Sequence, residues 1–99
     1  MQPKKSRWSK VYESSEEELV DFLHSRNITA QRLKLDEFDT TKANAAQAMT
    51  LWCAEGSMTV RTDAAKFSLQ PGDSIQLPPT GAIELLAGIS GCVYYESAR

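Results

Sequence analysis

Apolar and polar residues follow two different rhythms along this chain: a helical one near the start and a strict alternation in the second half. Leu19, Phe22 and Leu23 recur at helical spacing with Val20 beside them, while Glu17, Asp21 and Ser25 fall on the opposite side. This spacing predicts an amphipathic helix over Glu16 to Arg26 whose apolar stripe must cover something. Ser15 and Glu18 have the spacing of a capping box, the serine oxygen accepting from the first turn and the glutamate reaching back to the amide of the cap. Glu16, Glu17 and Glu18 lie where the helix dipole favours negative charge. Asn27 is a left-handed stop, and Ile28 is placed to fold back onto the last turn.

The remainder reads as short strands. Trp8 to Glu13 mixes aromatic and β-branched residues and predicts a strand or extended lead-in, and Thr29 to Phe38 a second strand with Leu33 and Leu35 on one face and Arg32 and Lys34 on the other. Asp39 to Ala48 has no firm period and reads as loop passing into strand. Thereafter strands and turns alternate evenly: Thr50 to Ala54, a turn at Glu55-Gly56, Ser57 to Thr62, a turn around Asp63, Lys66 to Leu69, and a turn at Gln70-Pro71-Gly72-Asp73. Ser74 to Leu77, a turn at Pro78 to Gly81, Ala82 to Ala87, a turn at Gly88 to Gly91, and Cys92 to Glu96 complete the series. Even spacing of this kind argues for a sandwich or barrel. Alternation assigns Met49, Leu51, Cys53, Met58, Val60, Phe67, Leu69, Ile75, Leu77, Ile83, Leu85 and Ala87 to the inward face.

Composition narrows the function classes. The 99 residues fit one domain, 1–99, with residues 1–10 read as a flexible basic tail because Lys4, Lys5, Arg7 and Lys10 cluster there. Eleven Lys and Arg against 13 Asp and Glu give a net charge of -2, so no global field draws nucleic acid or anionic lipid. No apolar run follows the basic start and none approaches the length of a membrane span, which predicts a cytoplasmic protein. The two cysteines, Cys53 and Cys92, sit inside apolar runs and read as core residues of a reducing compartment, with a disulfide between them not favoured.

The run Leu51-Trp52-Cys53-Ala54-Glu55-Gly56-Ser57-Met58-Thr59-Val60, then Phe67-Ser68-Leu69-Gln70-Pro71-Gly72-Asp73-Ser74-Ile75 and Pro78-Pro79, resembles the small single-domain cupins over the later part of the chain. The resemblance implies a mainly β fold, a jelly-roll antiparallel β-barrel, here behind one N-terminal amphipathic α-helix. It also implies a homodimer and a ligand pocket inside the barrel. Metal-binding cupins carry two histidines and a glutamate ahead of the glycine matching Gly56, and one more histidine after the proline turn. The glutamate slot falls here on Met49, the paired histidine slots near Asn44 and Lys42, and the late histidine slot on Ile83. An ammonium, an amide, a thioether and a butyl group do not make a metal shell. The expectation is therefore a metal-free cupin-like protein without a cofactor, binding a small organic ligand, with Lys42, Asn44, Met49, Cys53, Ile83 and Tyr95 as pocket candidates.

Several of these residues have a plainer use. Lys42 and Asn44 either line the barrel mouth or lie on an exposed loop, and Cys53 reads first as core packing. His24, the one histidine, suits a helix C-terminus. Tyr94 and Tyr95 project to opposite sides of the last strand, so one of them reaches the pocket. Trp52 faces outward, against the helix or a dimer partner. Two rivals to simple binding stay open: a metal-independent isomerase or lyase using a barrel tyrosine with Lys42 or Cys53, and a metal enzyme with ligands drawn from His24, Asp36, Glu37 or Asp39.

Overall fold

The computed structural model describes residues 4–9, 15–45, 47–63, 65–79 and 81–98. The elements are β1 (Lys4–Arg7), α1 (Glu16–Ser25), β2 (Gln31–Leu35), β3 (Thr40–Ala45), β4 (Met49–Arg61), β5 (Lys66–Leu69), β6 (Asp73–Leu77) and β7 (Gly81–Ala98). The seven strands form one antiparallel sheet in the order β1-β6-β4-β7-β2, with β3 also paired to β7 and β5 to β4. No helix among the described residues is long and apolar enough to cross a membrane.

The sheet is folded in half. β4 and β7 pair twice, Met49 to Gly56 against Cys92 to Ala98 and Met58 to Arg61 against Glu84 to Ala87, with one irregularity at Cys53/Glu55 near the end of the first stretch and one at Gly56/Met58 between the two. The first half is β1-β6-β4-β7-β2 and the second β5-β4-β7-β3. The turns predicted at Glu55-Gly56 and Gly88 to Gly91 are thus bends within continuous strands. A true reversal would give each arm a new partner, whereas here the same two strands stay together across the bend. Bulges and glycines make such corners by kinking a strand without ending it. Gly56 and Gly91 both have positive φ, +71° and +72°, and face each other so closely that a Cβ on Gly56 would lie 2.1 Å from the Gly91 oxygen.

The inward residues gather between the two halves. Leu51, Cys53, Met58, Val60, Leu69, Ile75, Leu77, Ile83, Leu85 and Ala87 are buried together, and Met49 and Phe67 pack half-buried against them. Every residue that alternation assigned inward is in this cluster, joined by Leu33, Leu35, Ala43, Cys92 and Tyr94.

α1 covers the outer surface of the first half. Leu19 and Leu23 are buried against Trp52, Ala54, Val93 and Tyr95, so the outward Trp52 is a helix contact. The Ser15 Oγ accepts from the Glu18 amide at 3.2 Å, and returns a bond to the Glu18 carboxylate at 3.4 Å. At the far end Asn27 is left-handed (φ 55°), the Ile28 amide donates to the Leu23 carbonyl at 2.9 Å and the Asn27 amide to that of His24 at 3.1 Å. These paired bonds are a Schellman motif, which returns the chain toward the sheet.

Three expectations are corrected. The basic start is not a free tail over Lys4–Arg7, because these residues pair with β6 and Arg7 and Lys5 bridge Asp73 at 2.8 and 3.7 Å. The lead-in strand predicted from Trp8 is not formed at Trp8 or Ser9, and the rest of it lies largely outside the described residues. The Asp39 to Ala48 segment includes a true strand, β3, and the second strand stops at Leu35, before a turn closed by the Asp39 amide on the Asp36 carbonyl at 3.0 Å.

Candidate functional site

Register locates the end of the folded sheet opposite the corner. On the first half, Met49 pairs with Leu77 and Ala98; on the second, Val60 pairs with Phe67 and Ala43 with Ile83. These pairs lie near the ends of the two half-sheets, with Met49, Ala43 and Phe67 half-buried and the direct partners Leu77 and Ile83 buried beside them. Cys53, Met58, Leu69, Ala87 and Cys92 lie toward the corner. Tyr94, opposite Cys53 in the register, stands between rim and corner.

Tyr94 is the polar feature of this interior. The residue as a whole is 4% exposed, and no hydrogen bond joins its hydroxyl to another described residue. The one fully buried side-chain polar atom without a partner among the described residues is Trp8 Nε1, so the Tyr94 hydroxyl keeps access to solvent while its ring packs among apolar side chains. Burial pushes the Tyr94 phenol up to about 12, with Glu96 and Cys92 adding to the shift. It likewise pushes the Cys53 thiol up to about 12, with smaller contributions from Cys92 and Asp73. Burial also raises Cys92, against a backbone hydrogen bond at Leu35 that lowers it. All three therefore stay protonated at neutral pH. Both cysteines are free thiols.

The pocket candidates separate. Met49, Cys53 and Ile83 come together in the interior. Lys42 does not, because Ala43 is the partner of the inward Ile83, while exposed Lys42 pairs with Glu84 on the outer face. The predicted register is one residue off here, and a one-residue slip exchanges faces. The side chain of Asn44 lies outside the described residues. Tyr95 also turns the other way, packing with Trp52 and Leu19 beneath α1. The odd-numbered inward set Ile83, Leu85 and Ala87 changes parity across the bend at Gly88 to Gly91, so even-numbered Cys92 and Tyr94 face in. That loss of parity is why alternation alone does not choose between the two tyrosines. Ala43, absent from the sequence-derived candidates, has no chemical signature that would reveal it.

On the helix side, Tyr95 donates a 2.6 Å hydrogen bond to the Glu16 carboxylate, which also takes the Arg32 guanidinium. The Arg32 bonds and the Tyr95 bond hold the Glu16 carboxyl below its usual range. Burial, then the hydrogen bond to Glu16, raises the Tyr95 phenol. A shallow cleft of about 230 Å³ lies next to this trio, lined by Val20, Leu23, His24, Ile28, Ala30 and Tyr95. His24 is thus a helix residue on the outer surface, and Asp36, Glu37 and Asp39 sit exposed on the β2–β3 turn. No three His, Cys, Asp or Glu side chains converge on a metal-sized site among the described residues.

No protein-family model matches the chain, and no curated protein is significantly similar to it in sequence. Solved structures are similar in architecture. A family DUF861 protein from Thermotoga maritima superposes with a TM-score of 0.66 at 14% identity, covering 99% of this chain and 100% of that one. A cupin superfamily protein from Desulfitobacterium hafniense gives 0.61 at 11% identity, over 98% of this chain and 76% of that one. The chain has a cupin fold. QdtA from Thermoanaerobacterium thermosaccharolyticum, a sugar 3,4-ketoisomerase in complex with TDP, gives 0.54 at 17% identity over 71% of this chain and 57% of that one.

Within the cupin fold, the metal slots can be tested against the residues that occupy them. Met49 and Ile83 contribute a thioether and a butyl group to an apolar cluster, and Lys42 lies exposed on the outer face of the sheet. These three side chains do not supply the several converging nitrogen, oxygen or sulfur ligands that a catalytic metal needs, and the side chain of Asn44, the fourth slot, lies outside the described residues.

Proposed function

We propose that this protein is a metal-free cupin-fold module that binds a small organic molecule at the open end of its folded sheet. The observation that carries the reading is Tyr94, a buried residue whose hydroxyl bonds to no described residue and is not itself sealed from solvent, among the apolar side chains packed with Met49, Ala43 and Phe67. Pockets of this type combine a hydrophobic lining with a few polar groups that orient the ligand. Here the phenol donates to an acceptor on the ligand, and the aliphatic rim supplies burial. Binding is favoured over catalysis because the interior groups that titrate, Cys53, Cys92 and Tyr94, are all held protonated, and a general base needs a lone pair near neutral pH. The isomerase or lyase alternative retains only Tyr94 with Cys53, since Lys42 and Tyr95 lie outside the chamber.

The test is a titration of methyl-labelled methionines by NMR. Met49 reports on the rim and Met58 on the depth of the chamber. Small uncharged carbonyl and aromatic compounds are expected to shift Met49, and Tyr94→Phe to weaken the best of them roughly fivefold, the worth of about 1 kcal/mol for one hydrogen bond. The reading fails if no compound shifts Met49 at millimolar concentration, or if every binder shifts only residues of the α1 cleft. Elemental analysis of protein purified without chelators completes the test: one stoichiometric metal ion overturns the metal-free assignment.

A further inference from the structure

The two flanks of α1 are finished differently. Phe22 and Val20, two positions apart and so on opposite flanks of the helix, are both half-buried apolar residues packed against Leu19 and Leu23. Phe22 is covered, with the Trp8 ring 5.9 Å away between centroids and the Arg26 guanidinium 5.0 Å from its own. Val20 instead borders the cleft of about 230 Å³, together with Leu23, His24, Ile28, Ala30 and Tyr95. The helix stop creates this cleft: left-handed Asn27 and the 2.9 Å bond from the Ile28 amide to the Leu23 carbonyl turn the chain back, and Ile28 and Ala30 become the wall facing α1.

Size and hydrogen bonding together define what fits. An apolar cavity of ~150 Å³ holds benzene, so this cleft admits a single ring with a short substituent. Tyr95 sets the chemistry of that substituent. The residue is 8% exposed, lines the cleft, and commits its hydroxyl proton to Glu16 Oε2 at 2.6 Å. A phenol oxygen that donates keeps lone pairs for accepting, so a ligand bonded to it must bring the donor. Arg32 binds the same carboxylate and balances its charge, which leaves no unpaired anion to favour an ammonium over a neutral donor. These bonds also fix the phenol before a ligand arrives, which lowers the ordering cost of binding.

We propose that the cleft beside α1 is a small-molecule site of its own, taking a neutral single-ring compound whose O–H or N–H group donates to the Tyr95 phenol oxygen while its ring rests on Val20, Leu23, Ile28 and Ala30. It is separate from the chamber, because Tyr94 and Tyr95 face opposite sides of β7. The two sites also differ in polarity: Tyr94 has a proton to give, whereas Tyr95 has already given its own.

Because His24 is the one histidine of the chain, its imidazole protons give an unambiguous NMR reporter on the cleft, and the Met49 methyl reports on the chamber. The probes are benzyl alcohol and benzyl methyl ether, which share a ring and differ in the donor. Both are expected to shift His24 saturably, the alcohol binding roughly fivefold tighter, as for one hydrogen bond. Tyr95→Phe is expected to erase that preference and leave the ether unchanged, and Val20→Trp, which fills the cleft, to abolish binding of both, with circular dichroism confirming that each variant folds. If Tyr95→Phe does not fold, the alcohol-to-ether ratio in the wild-type chain and the loss in Val20→Trp decide. No saturable His24 shift at millimolar concentration, equal affinities for the two probes, or a preference that survives Tyr95→Phe overturns the proposal. Shifts at Met49 without His24 also overturn it, while leaving the chamber reading intact.

Discussion

Replacing Gly56 with alanine tests the claim that the two halves of the sheet meet through backbone contact at the corner. Two costs add. The residue sits at φ +71°, where a Cβ meets steric resistance of ~1 kcal/mol. The new methyl would also stand 2.1 Å from the Gly91 oxygen and 3.1 Å from the Cys92 Cα, and these are backbone atoms that move only if the corner opens. Overpacking of that kind costs ~1–3 kcal/mol. Stiffening of the unfolded chain by the alanine offsets ~0.4–1 kcal/mol. The net is a destabilisation of roughly 1–3.5 kcal/mol, equivalent to a fall in Tm of about 4–28 °C for a domain of this size. Gly81→Ala is the internal control, since its φ is +77° but nothing lies within 4 Å of its added Cβ. It carries the backbone cost alone and should lose under ~1 kcal/mol. Urea unfolding of both variants measures the difference. Equal losses, or a Gly56→Ala loss below ~1 kcal/mol, would refute the close approach at the corner.

Leu19→Ala empties the best-buried position under α1, at 0% exposure, and is expected to cost ~2–5 kcal/mol in chemical unfolding; a loss under ~1 kcal/mol would mean that the helix does not rest on Trp52 and Val93. Glu16→Gln should flatten the acid limb of the stability curve. The folded carboxyl is lowered chiefly by Arg32 and then Tyr95, so its contribution is present above the ordinary glutamate range and is lost as pH falls through the lowered folded value. An unchanged acid limb in the variant would remove the trio from the stability account. Cys53, fully buried and pushed up to about 12, should resist thiol reagents at pH 8 until the protein unfolds, and stability should decline as pH rises from the ordinary thiol value toward that figure; rapid native-state labelling of Cys53 would contradict the packed corner.

The sequence and the fold agree most closely where the determinants are local. Ser15, Glu18, Asn27 and Ile28 announce both ends of α1 within a few residues of where they act, and the hydrogen bonds at both ends form there. The Glu18 carboxylate meets the Ser15 hydroxyl, a different return bond from the one to the cap amide that the motif suggests. The inward set on β4 to β7 follows from period-two alternation within each short run, and burial in one cluster agrees with it.

Whatever depended on pairing between distant segments was decided only in three dimensions. Alternation specifies faces within a run but loses count across a bend, so it leaves Tyr94 and Tyr95 undivided until Cys53 is seen opposite Tyr94. The inward role of Ala43 over Lys42 depends on its being the partner of Ile83, forty positions away in the chain. The basic start becomes strand β1 because β6 has a free edge and Asp73 needs cations, neither of which is visible near Lys5 and Arg7 in sequence. The sequence by itself therefore determined the helix, its caps and the apolar content of the chamber, because these rest on neighbours along the chain. The tertiary structure determined the corner and which of the two tyrosines faces the interior, because these rest on which distant backbones share hydrogen bonds.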